Sequence, residues 1–325
     1  MSQPLRVAAV VPSYDGRDWL ARCLPRLAAQ SRPFDEIVVV DDGSSDGTAG
    51  WLRAAWPHVR VVEAGRNGGF ARAANRGVAA AGPDCDAVAL INNDVELEPA
   101  WLEHAAAALE GDPGAAAVAT KMVSLADPSV LDDCGDVLRR DGICEQRGRG
   151  RADDGRWDEP GEVFGACAGA ALFRRAPFAA AGGFEERFGA YLEDVDLALR
   201  LRLSGWRCRY EPRAVARHFN GASADGDRIV AAVERNTLLL CARAFPARWW
   251  LGPVLYRQLA RAARCAQGGE LRAFLAGAAR AVPALPAFVG ERRALRRGAV
   301  VAIERVVPAR AYRGRRAGGH PASGF

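Results

Sequence analysis

Three acids, Glu193, Asp194 and Asp196, crowd the start of the stretch GAYLEDVDLALRLRLSGW, residues Gly189 to Trp206. Two readings compete. Acids favour helix N-termini, where the dipole and unsatisfied N–H groups welcome negative charge. A carboxylate held among like charges is also a candidate general base. Further polar clusters follow short apolar runs: Ser13–Tyr14 after LRVAAVVP, Asp41–Asp42 after EIVVV, and Asn92, Asn93 and Asp94 after AVALI. A histidine, His218, lies 24 residues beyond Asp194 in RHFN. A lone histidine is more often a surface or satisfied residue than a ligand.

The elements around these clusters decide whether they can meet. LRVAAVVPSY reads as a buried strand entering a turn. DWLARCLPRLAAQS has helical spacing, with Trp19, Leu20, Cys23, Leu24 and Leu27 on one face and Pro25 as a kink. Ile37–Val40 is a second strand, and SSDGT opens a helix with Ser44, Ser45 or Asp46 as N-cap. VRVVEAG is a third strand, NGGFARAANRGV a glycine turn entering a helix, and CDAVALI a fourth strand. Alternation of this kind over residues 5–95 predicts a mainly parallel sheet covered by helices on both sides. Ligands of such sheets collect beyond the carboxyl ends of the strands, where the polar clusters fall.

Beyond residue 100 the pattern blurs. AWLEHAAAALEG is a helix and AAAVATKMVS a strand, while residues 126–160 read as a variable loop or hairpin region. EVFGACAGAALFRR reads as a strand pair or bent strand, followed by a loop, the acidic cluster, a helix and a strand to His218. From Arg228 the chain reads as helical, divided by Pro283 and Pro286.

Composition narrows the class. The 325 residues, half of them hydrophobic, suffice for one large domain or a domain with an appendage. No apolar run reaches the ~18 residues that span a bilayer. The N-terminus lacks a basic start and long apolar stretch, so a cytoplasmic protein is expected. Eight cysteines stand singly with no CxxC pair, which argues against a zinc ribbon or redox motif. Net charge is +5, yet nine arginines and two glutamates fall between Glu291 and Arg316. Lys121 is the only lysine, so arginine identity alone says little about phosphate recognition. In PVLYRQLARAARCAQ, Leu255, Leu259, Ala262 and Ala266 share one side, and Arg257, Arg261 and Arg264 lie on another. With Trp249 and Trp250 upstream, this fits either a membrane-surface helix or a helix packed on the catalytic domain or a dimer partner. No basic and aromatic nucleic-acid motif occurs.

The ordered set VVPSYDGRDWLARCLPRLAAQ, EIVVVDDGSSDGT, GRNGGFARAANRGV, LINNDVELEPAWL, YLEDVDLALRLRLSGW and ARHFNGAS resembles the inverting glycosyltransferases of family 2, over roughly residues 5–245. The branch nearest in flavour is rhamnosyltransferase-like. The resemblance implies a GT-A-type, Rossmann-like α/β fold: a mixed, mainly parallel sheet flanked by helices, with a helical C-terminal extension. It implies a catalytic domain over residues 1–245, with a nucleotide-sugar half at 1–110 and an acceptor and catalytic half at 111–245. A basic helical extension over 246–307 and a disordered tail over 308–325 complete the expected layout.

The same resemblance implies site roles. Pro12, Ser13, Tyr14, Asp41, Asp42, Asn67, Gly69 and Asn93 would bind the nucleotide sugar, with Asp41 or Asp42 accepting from the pyrimidine N–H. Gly68 and Gly69 allow close backbone approach, and Arg66 or Arg72 could add charge. NND takes the place of a DxD motif, so Asn92, Asp94 and His218 would hold Mg2+ or Mn2+ against the diphosphate. Asn92 departs from that motif, because its amide oxygen ligates without charge. Asp194 matches the base, and Glu193 would contact acceptor hydroxyls or fix the loop. Asp196 would bind backbone N–H groups, and Trp206 would stack on sugar or join the core.

These implications converge on a metal-assisted inverting enzyme. It would move a hexose, with dTDP-rhamnose as leading donor, to a hydroxyl of a cell-surface polysaccharide or lipid-linked glycan. Peripheral association with the inner face of the cell membrane would suit such an acceptor, and no nucleic acid is involved. The rival readings are a sugar-phosphate nucleotidyltransferase, whose phosphate loop VPSYDGRDW lacks, and a non-catalytic glycan-binding scaffold.

Overall fold

A computed structural model describes residues 3–219 and 226–308. The end of ARHFNGAS from residue 220, and the expected tail from residue 309, lie outside the described residues. The described residues form two compact units, one of residues 3–136, 146–201 and 206–219, the other of 137–145, 202–205 and 226–308.

The chain opens with β1 (Val7–Ser13), α1 (Arg17–Ala28), β2 (Glu36–Asp41), α2 (Thr48–Ala55), β3 (Arg60–Glu63), α3 (Phe70–Ala80) and β4 (Ala87–Ile91). It continues with β5 (Val95–Leu97), α4 (Trp101–Glu110), β6 (Ala115–Ser124), β7 (Leu131–Asp133) and β8 (Asp136–Leu138). Then come β9 (Cys144–Gln146), β10 (Gly161–Val163), β11 (Ala170–Arg174), α5 (Arg175–Ala180), α6 (Glu193–Leu203) and β12 (Arg207–His218). The main sheet runs β10-β12-β6-β11-β4-β1-β2-β3, with β5 on β12, β7 on β6, and β8 and β9 forming a separate pair.

Strand direction gathers the polar clusters. β3, β2, β1 and β4 are parallel, β12 is parallel to β6, and β11 lies antiparallel between β4 and β6. The carboxyl ends of β1, β2, β4, β6 and β12 therefore share one edge of the sheet. Ser13 sits beside Asp41 in register, and His218 pairs with both Ser124 and Val95. Because β11 runs the other way, its first residue, Ala170, meets Ile91 at that same edge.

The central strands β1, β4 and β11 are apolar and buried on both faces, as a sheet covered on both sides requires. Val7, Ala9 and Val11 pack with Leu20, Leu24 and Leu27 of α1 on one side; Ala8 and Val10 pack with α3 on the other. Truncating a fully buried side chain such as Leu24 to alanine costs about 2–5 kcal/mol. Gly77 lets α3 approach closely: a Cβ there would lie 2.3 Å from Val10 Cγ1. Pro25 is accommodated within a continuous α1. Trp206 packs against the core, and six of the eight cysteines are buried, none in a disulfide.

The second unit is helical: α7 (Gly226–Ala244), α8 (Ala247–Trp249), α9 (Leu255–Gly268), α10 (Leu271–Ala281), α11 (Leu285–Arg297) and α12 (Ile303–Val306), with a π-helical turn at Trp250–Val254. Helices α10 and α11 pack on α7. Trp249 is buried, between Phe245 and the Arg140 guanidinium, 5.0 Å from the latter. Of the two readings the sequence left open for this segment, Trp249 fits the packed one. The Trp250 indole N–H donates to the Cys241 carbonyl.

Candidate active site

At the edge of β1 and β2, the Ser13 hydroxyl oxygen accepts from the Asn93 side-chain amide at 3.0 Å. Asp41 Oδ1 accepts from the Ser44 N–H at 2.9 Å, which caps the turn after β2. Asp42 does something else. Its Oδ2 accepts from the N–H groups of Gly68 and Gly69, both at 2.9 Å, while its buried Oδ1 has no hydrogen-bond partner among the described residues. Asp42 thereby ties the end of β2 to the glycine turn that opens α3. Asn67 Oδ1 accepts from the same Gly69 N–H at 3.0 Å. Tyr14 is half exposed at this edge, whereas Pro12 is buried within the sheet opposite Val40.

Gly69 has φ +85, and a Cβ there would stand 3.1 Å from the Gly189 carbonyl oxygen. That carbonyl accepts from the Ala71 N–H at 2.8 Å. The glycine turn thus packs directly on the loop leading into α6. In that loop Tyr191 and Leu192 hold φ 71 and 66, a left-handed conformation that costs non-glycine residues of order 1–3 kcal/mol each. Glu193 and Asp194 follow immediately.

The three acids separate. Asp196 is 1% exposed and pairs with Arg200 at 2.7 Å, which in turn donates to the carbonyls of Ala181 and Gly183. Through that guanidinium it anchors α6. Glu193 is also buried, and its Oε2 has no hydrogen-bond partner among the described residues. Burial, then the neighbouring Asp194 charge, raise its pKa well above the usual carboxylate range. Asp194 is half-buried. Its Oδ1 accepts from its neighbour's N–H, that of Val195, at 2.8 Å, and its Oδ2 from Ala168 at 3.1 Å. Burial raises its pKa, partly offset by those two N–H groups.

The Ala168 contact joins two regions. The next residue, Gly169, accepts the Asn92 N–H on its carbonyl at 2.8 Å. Adjacent residues therefore hold Asp194 on one side and the NND turn on the other. The Asn92 side chain lies against Gly169, and Asn93 turns toward Ser13.

Asp94 faces His218, with Oδ1 3.5 Å from Nε2. The opposite ring nitrogen, Nδ1, lies 2.7 Å from Asp132 Oδ2. Burial would lower the His218 pKa, but the hydrogen bonds with Asp132 and Asp94 outweigh it and push it up to about 9. Asp133 is pushed up to about 7, by burial first and by the Asp132 charge second, with the Asp194 charge adding to it. Among the described residues no three His, Cys, Asp or Glu side chains group as a cation site. Asp94 gives a hard oxygen donor and His218 a borderline nitrogen donor, and Asp132 fixes the ring tautomer from behind. That set suits Mg2+ or Mn2+, which complete their shells with water and phosphate oxygens.

Asp132, Asp133 and the Ala168 N–H were not anticipated from the sequence. All three acids of DDCGD, namely Asp132, Asp133 and Asp136, are at most 3% exposed, in a region read from the sequence as a variable loop or hairpin. Consecutive acids between apolar residues were the available signal.

Comparison with known proteins bears on the family and the fold. The glycosyl transferase family 2 model matches residues 8–181. The chain is 30% identical over 281 residues to the N-acetylglucosaminyl-diphospho-decaprenol L-rhamnosyltransferase of Mycobacterium tuberculosis, covering 78% of this chain and 89% of the relative. Its fold is similar to that of a mannosyltransferase from Pyrobaculum calidifontis in complex with GDP-Man and Mn2+, with TM-score 0.54, 22% identity, and 90% and 81% coverage of the two chains. It is also similar to GalNAc-T7 with UDP, GalNAc and Mn2+, with TM-score 0.60, 13% identity, and 76% of this chain against 49% of that one. A GT-A-type fold, the ordered motifs and these matches together mean that the chain is a glycosyltransferase and belongs to glycosyl transferase family 2.

Proposed function

We propose that the chain is an inverting hexosyltransferase that moves a sugar, rhamnose from dTDP-rhamnose as the leading choice, to a hydroxyl of a cell-surface polysaccharide or lipid-linked glycan. The observation that carries this reading is the Ala168–Gly169 link, which holds a half-buried Asp194 next to the NND turn, beside the glycine turn that Asp42 secures. The rhamnosyl preference rests on the M. tuberculosis relative. Residues 1–110 serve the donor, 111–245 the acceptor and catalysis, and 246–307 form the extension. The acceptor reaches the enzyme at the inner face of the membrane.

In this mechanism Ser13, Tyr14 and Asp41 or Asp42 bind the nucleoside, with the partnerless Asp42 Oδ1 available to accept an N–H from the base. Asn67, Gly69 and Asn93 line the diphosphate. Asp94 and His218, with Asn92 at the turn, hold Mg2+ or Mn2+. That ion, when bound, neutralises diphosphate charge. Asp194 accepts the proton of the acceptor hydroxyl as its oxygen bonds to the anomeric carbon. The nucleoside diphosphate departs from the opposite face, which inverts the configuration. Burial raises the Asp194 pKa, which makes it a better proton acceptor than an ordinary aspartate. Glu193, buried next to it in sequence, has its pKa raised by burial and by the Asp194 charge, which disfavours a second negative charge there.

A thermal-shift screen of nucleoside diphosphates and their sugars, with and without Mn2+, tests the donor site. Stabilisation by one base, strengthened by Mn2+, is expected. No shift with any nucleotide would sink the reading.

A further inference from the structure

Helix α9 is inside out for a helix in water. Arg257 and Arg261 face inward, 4% and 6% exposed, against the fully buried Glu234. Arg257 lies 3.0 Å and Arg261 3.6 Å from Glu234 Oε2. Leu255, Tyr256 and Leu259 face outward, 50%, 76% and 65% exposed, and Leu251 one turn earlier is 82% exposed. An amphipathic helix normally buries its leucines and solvates its arginines. At 3.6 residues per turn, Leu251, Leu255, Leu259 and the exposed Ala266 form one stripe with Tyr256 at its border, and Arg264 falls on the opposite side.

Charge is divided along the chain. Residues 226–308 hold fourteen arginines and five acids, a net +9, whereas residues 1–225 hold 26 basic and 34 acidic residues, a net −8. Arg264, Arg272 and Arg280 are exposed in the basic segment. No single helix among the described residues is long and apolar enough to cross a membrane.

We propose that the outward stripe of α9 seats in the plane of an anionic membrane surface. Leu251, Leu255 and Leu259 enter the headgroup–acyl boundary, and Tyr256 sits at headgroup level, where amphipathic rings are favoured. The net positive field of the segment draws it toward anionic headgroups, while Glu234 holds Arg257 and Arg261 away from the apolar side. Charge selects the occupant. A second copy docked through the same face would set +9 against +9, while an anionic bilayer accepts both the stripe and the field. This assignment deepens the lipid-linked acceptor reading above, but vesicle binding is measured without sugar transfer, so either can fail alone.

The test sediments the full-length protein with vesicles of phosphatidylcholine alone and of phosphatidylcholine mixed with phosphatidylglycerol. Strong binding to the mixed vesicles, weakened by salt, is expected. The double substitution Leu255→Gln and Leu259→Gln should lower partitioning at least about tenfold. Tyr256→Ala, a second surface variant, should lower it less. Circular dichroism melts confirm that both variants stay folded. Equal partitioning of wild type and double variant overturns the proposal. So does a wild-type dimer in analytical ultracentrifugation that the double variant dissolves, since the stripe would then be a protein contact.

Discussion

Asp132 Oδ2 lies 2.7 Å from His218 Nδ1, while the other ring nitrogen of His218 lies 3.5 Å from Asp94 Oδ1. One imidazole is thus clamped between two acids from different strands, β7 and the turn after β4. Asp132 is almost fully buried, so its charge acts on the ring with little solvent screening. A carboxylate behind a ligating histidine fixes the tautomer and raises the basicity of the outward nitrogen. Replacing Asp132 by Asn should weaken Mn2+ affinity by roughly 10- to 100-fold. Titration calorimetry with a nucleoside diphosphate present measures this. Asp94→Asn should weaken it at least as much, and an unchanged affinity in both would remove this pair from the cation site.

Asp194 is the group whose loss should matter most to chemistry. Asp194→Asn preserves size and the contact with Ala168, so nucleotide binding should persist while transfer falls by about 10²–10⁴-fold. In the wild type, burial raises the Asp194 pKa, so transfer should rise with pH along a limb set above the usual carboxylate range. The limb should vanish in the variant. Glu193→Gln tests the neighbour. Burial and the Asp194 charge raise the Glu193 pKa and so favour its neutral form, which an amide imitates, so activity should stay within about tenfold. A thousandfold loss in Glu193→Gln would exchange the two roles.

Gly69 links donor and catalytic loops through backbone alone. With φ +85 and the Gly189 carbonyl 3.1 Å from a Cβ position, Gly69→Ala strains one loop and displaces the other. The cost should be about 1 kcal/mol or more, a loss of several degrees in Tm. Because the displaced loop leads into Tyr191, Leu192 and Asp194, kcat should fall along with a rise in donor KM. A change in KM alone would show that the two loops are uncoupled.

Much of this arrangement is legible in the sequence, and the reasons are local. Apolar runs such as VAAVVPS and EIVVVD are bounded by acids, glycine and serine, so both the strands and the polar clusters at their ends declare themselves. Asp132 and Asp133 stay hidden because β7 has three residues, too few for a period, and burial of two consecutive acids contradicts their usual exposure. The separation of Glu193, Asp194 and Asp196 depends on Arg200, four residues on, and on Ala168, 26 residues earlier. The inversion of α9 depends on Glu234, distant in sequence, which decides which side of an evident amphipathic helix turns inward. Side-chain partners across such distances have no signature in periodicity.

Asp133 gives a stability prediction whose sign can be worked out. Burial and the Asp132 charge raise its folded pKa from 3.8 to about 7. Between those two values the unfolded chain has lost the proton and the folded chain keeps it. Stability therefore falls as pH rises across that window, and the penalty is complete above pH about 7. It amounts to a few kcal/mol, on the order of the shift itself. Asp133→Asn removes the ionisation while its amide oxygen can still accept from the Gly135 N–H, which the carboxylate does at 2.6 Å. The Tm of Asp133→Asn should exceed that of the wild type by a margin that grows from pH 4 to pH 7 and then levels off. Differential scanning calorimetry across that range checks it. A margin independent of pH would mean that Asp133 is ionised throughout and that its charge is balanced within the fold.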